Sequence, residues 1–263
     1  MTTQNLKQEL DLAISAAREA GMIILKYYNN NYHIRDKGFS NPVTTADTEA
    51  DTFLGNTILA EFPGDGWLSE ETKDSTERLS KQRVWVVDPL DGTIEFIRGI
   101  PEFVVSVALT IDREPVVGVI YNPLTKEMFS AMTGSASRLN GNEIHCSANT
   151  ELHEATVYVS RSETKSGLWK PFEDMFKMLI VSGSIANKLV HTAANYSDLT
   201  ISLRPKNEWD ICAADLIVRN AGGLLINRDL NPIRYNSENP FIPNGLIAGP
   251  PQLLEKVKPL FKI

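Results

Sequence analysis

Asp88, Asp91 and Thr93 stand close together in the stretch Trp85-Val86-Val87-Asp88-Pro89-Leu90-Asp91-Gly92-Thr93-Ile94-Glu95-Phe96. An apolar run of strand character ends on Asp88, and Pro89 interrupts ladder pairing while fixing its own φ. The strand therefore delivers Asp88 to its tip. Asp91 follows in a tight turn where Gly92 can take a positive φ and Thr93 can open a helix as a hydroxyl-bearing cap. Two carboxylates, a hydroxyl and free backbone amides are crowded together. Like charges this close raise each other's pKa unless a cation sits between them, and hard divalent cations favour oxygen ligands. The chemistry implied is a magnesium site. Asp, Pro and Gly are also ordinary turn formers, so D-x-x-D-G alone reads equally as a solvated turn. It is not an EF-hand loop, because its acids do not recur at alternate positions before the glycine.

Further candidates lie at the ends of other elements. Val43-Thr44-Thr45-Ala46-Asp47 opens a helix with apolar Ala50, Phe53, Leu54 and Ile58. Asp47 is either a capping partner of Thr44 or part of a network that orients water. After a Pro63-Gly64-Asp65-Gly66 turn comes Trp67-Leu68-Ser69-Glu70-Glu71-Thr72. If this is a strand end, alternation sends the two glutamates to opposite faces, with Glu70 the ligand and Glu71 facing away. Val181 to Ala186 runs from a strand into a helix over 184–196, where Gly183 and Ser184 could hold an anionic or hydroxyl-rich ligand. Capping by Ser184 explains the same residues. A second helix, over 210–221, is closed by Gly222-Gly223 and opened by Asp210, a good cap and also a good metal ligand. Arg204 and Lys206 just before it could offset substrate phosphate. His191, mid-helix, reads as a packing residue.

Positioning these residues requires a mixed α/β frame. Leu6, Leu10, Ala13, Ala17, Gly21, Ile24 and Tyr28 mark the stripe of a long first helix. A polar loop over 29–42, with Lys37 in it, could act as a flap. Valine-rich runs over 103–111 and 115–121 predict a hairpin, 128–132 another strand, and Asn140-Gly141 a tight turn. From about residue 150, short strands at 156–160, 199–203 and 223–227 alternate with helices. The 263 residues suit one unit of two halves. Residues 1–150 form an α+β half with most of the metal ligands, and residues 151–263 an α/β half with the substrate loop and Asp210.

Lys plus Arg number 26 against 33 Asp plus Glu, a net charge of −7. This argues against polymeric nucleic acid as a partner and allows a small phosphorylated metabolite. Only Cys146 and Cys212 are present, so no disulfide framework is expected. The start lacks the pattern of a signal peptide, and no apolar run approaches the roughly 18 residues of a membrane span. A cytoplasmic protein with no membrane partner is expected.

Together, Asp47 after V-T-T-A-D, Glu70-Glu71, the block D-P-L-D-G-T-I-E-F, and W-D followed by a helix ending in A-G-G resemble the inositol monophosphatase family of magnesium-dependent, lithium-sensitive phosphatases. The similarity spans nearly the whole chain. It implies an α/β fold, a layered α/β/α/β/α sandwich of the type shared with fructose-1,6-bisphosphatase. Glu70, Asp88 and the Leu90 carbonyl would bind a first magnesium, and Asp88, Asp91 and Asp210 a second. Thr93, assisted by Asp47, would orient and deprotonate a metal-bound water, while the amides of Gly92 and Thr93 hold phosphoryl oxygens. Two or three Mg2+ ions, with Mn2+ as a substitute, and a homodimer are implied. Metals can neutralise a phosphate dianion that would repel hydroxide and can stabilise both entering and leaving oxygens. The sequence offers no convincing nucleophile of the Ser, Cys or His kind, and no G-x-S-x-G.

For the substrate, Glu95, G-W-L-S-E-E and Glu208 before Trp209-Asp210 look more like bacterial 3′(2′),5′-bisphosphate nucleotidases, which convert adenosine 3′,5′-bisphosphate to AMP. The inositol enzymes carry a substrate-binding glutamate where an ungapped count places Leu203. Arg98-Gly99-Ile100-Pro101 resembles the inositol enzymes, so inositol-1-phosphate hydrolysis is the alternative. A non-catalytic metal-binding module is a third reading, set against the retention of Asp47, Glu70, Asp88, Asp91 and Asp210. Asp215 replaces a small residue of many relatives and either touches substrate or sits on its helix.

Overall fold

The computed structural model describes residues 6–36, 38, 42–227 and 232–261, so Lys37 and part of the proposed flap lie outside it. Helix α1 (Lys7–Tyr27) buries Ala13, Ala16, Ala17, Ala20 and Ile24, the stripe its spacing predicts. β1 (Ile34–Asp36) and β2 (Pro42–Thr44) pair antiparallel and lead into α2 (Thr45–Glu61). Thr44 caps α2 through its hydroxyl, and the Asp47 carboxylate accepts from the Thr44 amide at 2.8 Å, the expected capping pair.

A seven-stranded sheet follows, built in spatial order from β3 (Gly66–Ser69), β4 (Arg83–Asp91), β5 (Val104–Ile111), β6 (Glu114–Asn122), β7 (Glu127–Met132), β8 (Arg138–Leu139) and β9 (Asn142–Glu143). β3 runs parallel to β4, and the other pairings are antiparallel. The short α3 (Thr93–Ile97) leaves the end of β4. The second half contributes β10 (Thr156–Ser160), α4 (Arg161–Lys165), β11 (Met178–Ser182), α5 (Ile185–Ala193) and β12 (Leu199–Ser202). β13 (Lys206–Asn207) enters α6 (Glu208–Asn220), and β14 (Leu224–Asn227), β15 (Phe241–Ile242), β16 (Leu246–Gly249) and α7 (Pro251–Val257) complete the fold. A five-stranded sheet has the order β11-β10-β12-β16-β14, and β13 pairs separately with β15.

Three apolar clusters separate five layers. Alternation along β4 sends Trp85 and Val87 to α1 and α2, and Val84 and Val86 to the opposite face. On that face α5 and α6 fill the space between the sheets, with Ile185, Leu189, Ile211 and Ile217 meeting Leu225 and Ala248. The outer face of the second sheet, including Val157, Val159 and Ile201, is covered by Trp169, Leu253 and Leu254. The result is the α/β/α/β/α sandwich that the resemblance implies. Among the described residues, no helix is long and apolar enough to cross a membrane.

Two helix boundaries differ from the sequence reading. α5 stops at Ala193 because Asn195 takes a left-handed φ of 61°. α6 starts at Glu208, since Asn207 supplies the cap and Asp210 is its third residue. β16 and α4 escape the sequence reading altogether.

The central layer is tight where α6 crosses β6. A Cβ added to Gly118 would lie 2.5 Å from the Ala213 carbonyl oxygen. Gly118→Ala is therefore expected to push α6 off the sheet and destabilise the protein by about 1–3 kcal/mol. Urea denaturation checks this, and an unchanged midpoint would contradict the close approach.

Candidate active site

The acidic centre is assembled by three separate elements. Pro89 offers no amide to the ladder, and the β4–β5 register shifts between Asp88 and Asp91. Such an irregularity re-aims side chains at a strand end. β3 lies beside β4, and the Glu70 amide donates to the Val87 carbonyl at 3.3 Å, which carries Glu70 to the same end. Asp210 arrives from the first turn of α6, where one of its oxygens accepts from the Asn207 amide at 2.8 Å. Carboxylate oxygens of Glu70, Asp88 and Asp210 lie within 4.8 Å of one another.

Burial pushes the Asp88 carboxyl well above the usual range, and the charges of Glu70, Asp91 and Asp210 push it further. Burial does the same to Asp210, with Asp91 and Glu70 adding to it. Three oxygen donors that repel one another in a partly desolvated place suit a hard divalent cation, so the residues fit the metal that the chemistry requires. A pH dependence follows. The folded, metal-free carboxyls keep protons that unfolded ones lose near the ordinary aspartate value of 3.8, so these groups cost the metal-free fold stability as pH rises above that value. A divalent ion must displace those protons. Its apparent affinity and its stabilisation of the fold are expected to grow from pH 6 to pH 8, a trend read by calorimetric titration with Mg2+ at both pH values.

Next to this centre, Gly92 has a φ of 101°, and a Cβ there would lie 2.6 Å from the Glu102 carbonyl oxygen. Gly92 itself precedes α3, so Thr93 is the first helical residue and not the cap expected from sequence. The Thr93 hydroxyl lies 2.8 Å from Asp47 Oδ1 and 3.1 Å from the Leu90 carbonyl oxygen. Asp47 is 1% exposed. Burial raises its carboxyl, opposed by hydrogen bonds from Thr44 and Thr93. It does not line the cleft, so any part it plays in the reaction passes through Thr93.

A cleft of about 460 Å³ opens over these groups. Its lining includes Glu70, Asp88, Leu90, Asp91, Gly92, Thr93 and Asp210 from this centre and, from the second half, Gly183, Ser184 and Lys206. The sequence assignments of Gly183 and Ser184 need correction in detail. The Gly183 amide donates to Glu102 at 2.6 Å, and Asp91 Oδ2 accepts from the Ser184 hydroxyl at 2.5 Å and the Ala186 amide at 2.7 Å. The donors at the start of α5 thus serve the protein's own carboxylates. Burial raises the Asp91 carboxyl, and these hydrogen bonds oppose the rise.

Glu208 is a clearer correction. It is 1% exposed, does not line the cleft, and accepts from the amides of Asn236 at 2.6 Å and Ser237 at 3.0 Å. Its proximity to Asp210 in sequence does not carry it to the substrate, because two steps along a helix turn a side chain to another face. Asp215 is likewise internal. Arg219 grips it at 2.7 and 2.6 Å and the Tyr235 hydroxyl at 2.8 Å, while burial pushes its carboxyl up to about 6 against the pull of Arg219. His191 packs among Phe129, Tyr158 and Tyr196.

Several cations on the cleft wall were not anticipated: Arg98, Arg161, Lys165 and Lys188. Arg161 follows the tip of β10 directly, and a charged residue just past a short apolar strand is the signal that could have found it. Its guanidinium donates to Glu102 at 2.5 Å. Lys188 is 3% exposed and donates to the carbonyls of Ser182, Gly183 and Ser184 at 3.3, 2.8 and 3.0 Å. Burial lowers its pKa to about 8, while Asp91 opposes the fall.

The comparisons with known proteins agree with this geometry. The model of the inositol monophosphatase family matches residues 5–261. Inositol monophosphatase 2 of Solanum lycopersicum is 35% identical over 236 residues, covering 84% of this chain and 88% of its own. Nus factor SuhB of Haemophilus influenzae is 30% identical over 264 residues, covering 95% and 96% of the two chains. The crystal structure of extragenic suppressor protein suhB from Bartonella henselae superposes with a TM-score of 0.86 at 28% identity, covering 97% of this chain and 98% of that one. A seven-stranded and a five-stranded sheet around α5 and α6, an acidic centre at the end of β4 and a match along nearly the whole chain place this protein in the inositol monophosphatase family of metal-dependent phosphoric monoester hydrolases.

Proposed function

We propose that the chain is a magnesium-dependent 3′(2′),5′-bisphosphate nucleotidase that converts adenosine 3′,5′-bisphosphate to AMP and phosphate. The observation that carries this reading is the set of cations facing the acidic centre. Arg98, Arg161, Lys165 and Lys206 line the same cleft as Glu70, Asp88, Asp91, Glu95 and Asp210; Arg161 is ion-paired with Glu95 at 3.5 Å and Glu102 at 2.5 Å, which leaves Arg98, Lys165 and Lys206 to meet a ligand in a chain whose net charge is −7. A substrate with a second anionic group matches them. Inositol 1-phosphate instead presents neutral hydroxyls away from its phosphate. Leu203, at the position where the inositol enzymes place a hydroxyl-binding glutamate, packs on the third apolar cluster and does not line the cleft.

Glu70, Asp88, Asp91, Asp210 and the Leu90 carbonyl would hold two or three Mg2+ ions, with Mn2+ as a substitute. When bound, such ions neutralise the phosphate dianion and acidify a water. Thr93, whose hydroxyl donates to Asp47 Oδ1, would accept a hydrogen bond from the attacking water, and the raised pKa of Asp47 would suit it to receive a proton by this route. The first amides of a helix have no intrahelical partner, and those of Gly92 and Thr93 would hold phosphoryl oxygens.

The names of the relatives and Arg98-Gly99-Ile100-Pro101 favour a second reading, an inositol-1-monophosphatase. The deciding measurement is kcat/KM with Mg2+ on both substrates. At least tenfold preference for adenosine 3′,5′-bisphosphate is expected, and the opposite preference would overturn the first reading. Failure to hydrolyse any phosphomonoester would return the non-catalytic module to contention.

A further inference from the structure

Glu70 leaves the sheet before it reaches the acidic centre. β3 ends at Ser69, and Glu70, Glu71 and Thr72 form a bend before the turn of helix at Thr76–Ser80. Two other carboxylates stand within 4.8 Å of Glu70. Their repulsion acts to swing this bend outward. The Glu70 amide donates to the Val87 carbonyl at 3.3 Å where the pairing of β3 with β4 ends.

One residue grips the bend on both sides. Asp51 lies one turn after Asp47 on α2, on the same helical face, and is 7% exposed. Its Oδ1 accepts from the Ser69 hydroxyl at 2.5 Å and its Oδ2 from the Thr72 hydroxyl at 2.6 Å. Ser69 and Thr72 bracket the Glu70-Glu71 pair, so a single buried carboxylate ties the entry and the exit of the bend to a rigid helix.

We propose that Asp51 is a positioning residue for the metal centre, holding Glu70 against the repulsion of Asp88 and Asp210 by clasping the hydroxyls of Ser69 and Thr72. The same helix then serves both parts of the site, since Asp47 orients Thr93 and Asp51 sets Glu70. Holding the bend in advance removes the conformational entropy that a metal ion would otherwise have to overcome. The proposal rests on the reading of Glu70 as a ligand.

The test is calorimetric titration of the purified full-length protein with Mg2+, alongside the melting temperature without metal. Asp51→Ala is expected to weaken Mg2+ binding at least tenfold, and Thr72→Val to weaken it severalfold. Asp51→Asn removes the charge but keeps a group that can accept from one hydroxyl and donate to the other, so it is expected to retain most of the affinity. Asp51→Ala with a lowered melting temperature and unchanged Mg2+ affinity would reduce Asp51 to a structural role and overturn the proposal. Equal losses in Asp51→Asn and Asp51→Ala would assign the effect to charge alone and also overturn it. If Asp51→Ala does not fold, Thr72→Val and Ser69→Ala decide, since wild-type affinity in both contradicts the clasp. Glu70→Gln is the control: no loss of affinity there would refute the ligand reading itself, whereas a loss there with none in Asp51→Ala would refute only the clasp.

Discussion

Asp88→Asn is expected to lower kcat/KM by at least ~100-fold, about 2.7 kcal/mol of transition-state stabilisation, while raising the melting temperature of the metal-free protein. Both effects have one cause. Asp88 is 1% exposed and is pushed upward by its own burial and by the charges of Glu70, Asp91 and Asp210. Without a cation this buried carboxyl, which the unfolded chain would ionise freely, is a cost to the fold at neutral pH, and in the proposed metal site it would be the ligand between the others. An Asn side chain keeps the acceptor that Asp88 Oδ1 presents to the Leu90 amide at 2.9 Å, so the turn survives. For a chain of this size each kcal/mol relieved corresponds to about 2–4 °C. Thermal melts with and without Mg2+ and steady-state kinetics check the pair. A variant that keeps its activity, or whose metal-free form melts lower than the native chain, would show that Asp88 is not at the centre of the metal site.

Thr93→Val is expected to lower kcat by about 10²–10³-fold, inside the usual range for proton transfer by a positioned group, and to leave Mg2+ affinity near that of the native protein. Valine keeps the β-branched shape at the first position of α3 and removes only the hydroxyl, which lies 2.8 Å from Asp47. Asp47 reaches the cleft through Thr93, so the double variant Thr93→Val with Asp47→Asn is expected to lose little beyond the worse single variant. Multiplying losses would mean that Asp47 acts by a separate route. A Thr93→Val enzyme of native rate would remove Thr93 from the proton path.

The acids that can hold metal are legible in the sequence because local stereochemistry places them. The expected strand tip at Asp88 falls three residues early, because β4 runs through Pro89 to Asp91; what Pro89 marks is the shift of the β4–β5 register between Asp88 and Asp91, after which Gly92 takes a φ of 101°. Thr44 with Asp47 is a capping pair within one helical turn, and only the identity of Asp47's second partner, Thr93, needs the folded chain. Glu70, and not Glu71, lines the cleft as expected, but through the bend that follows β3 and not through strand alternation, since β3 ends at Ser69.

Residues whose position depends on packing between the two sheets were not legible. Glu208 looked like a cleft residue from its place beside Asp210, yet the phase of α6 sends its carboxylate to the amides of Asn236 and Ser237. Asp215, left open by the sequence, is paired with Arg219 and Tyr235 in the interior. Arg161 and Lys165 enter the cleft only because β10 lies in the second sheet and α4 follows its tip towards the end of β4. The acids gathered at the end of β4 and most element types are written in short runs where neighbouring residues constrain one another, and the family in an ordered set of separated motifs, whereas β16 and α4 leave no such local mark. Which cations line the cleft and which glutamate stays inside are set by the packed fold. Those outcomes depend on how α5 and α6 seat the second sheet against the first, a sum of many weak apolar contacts between residues far apart in the chain.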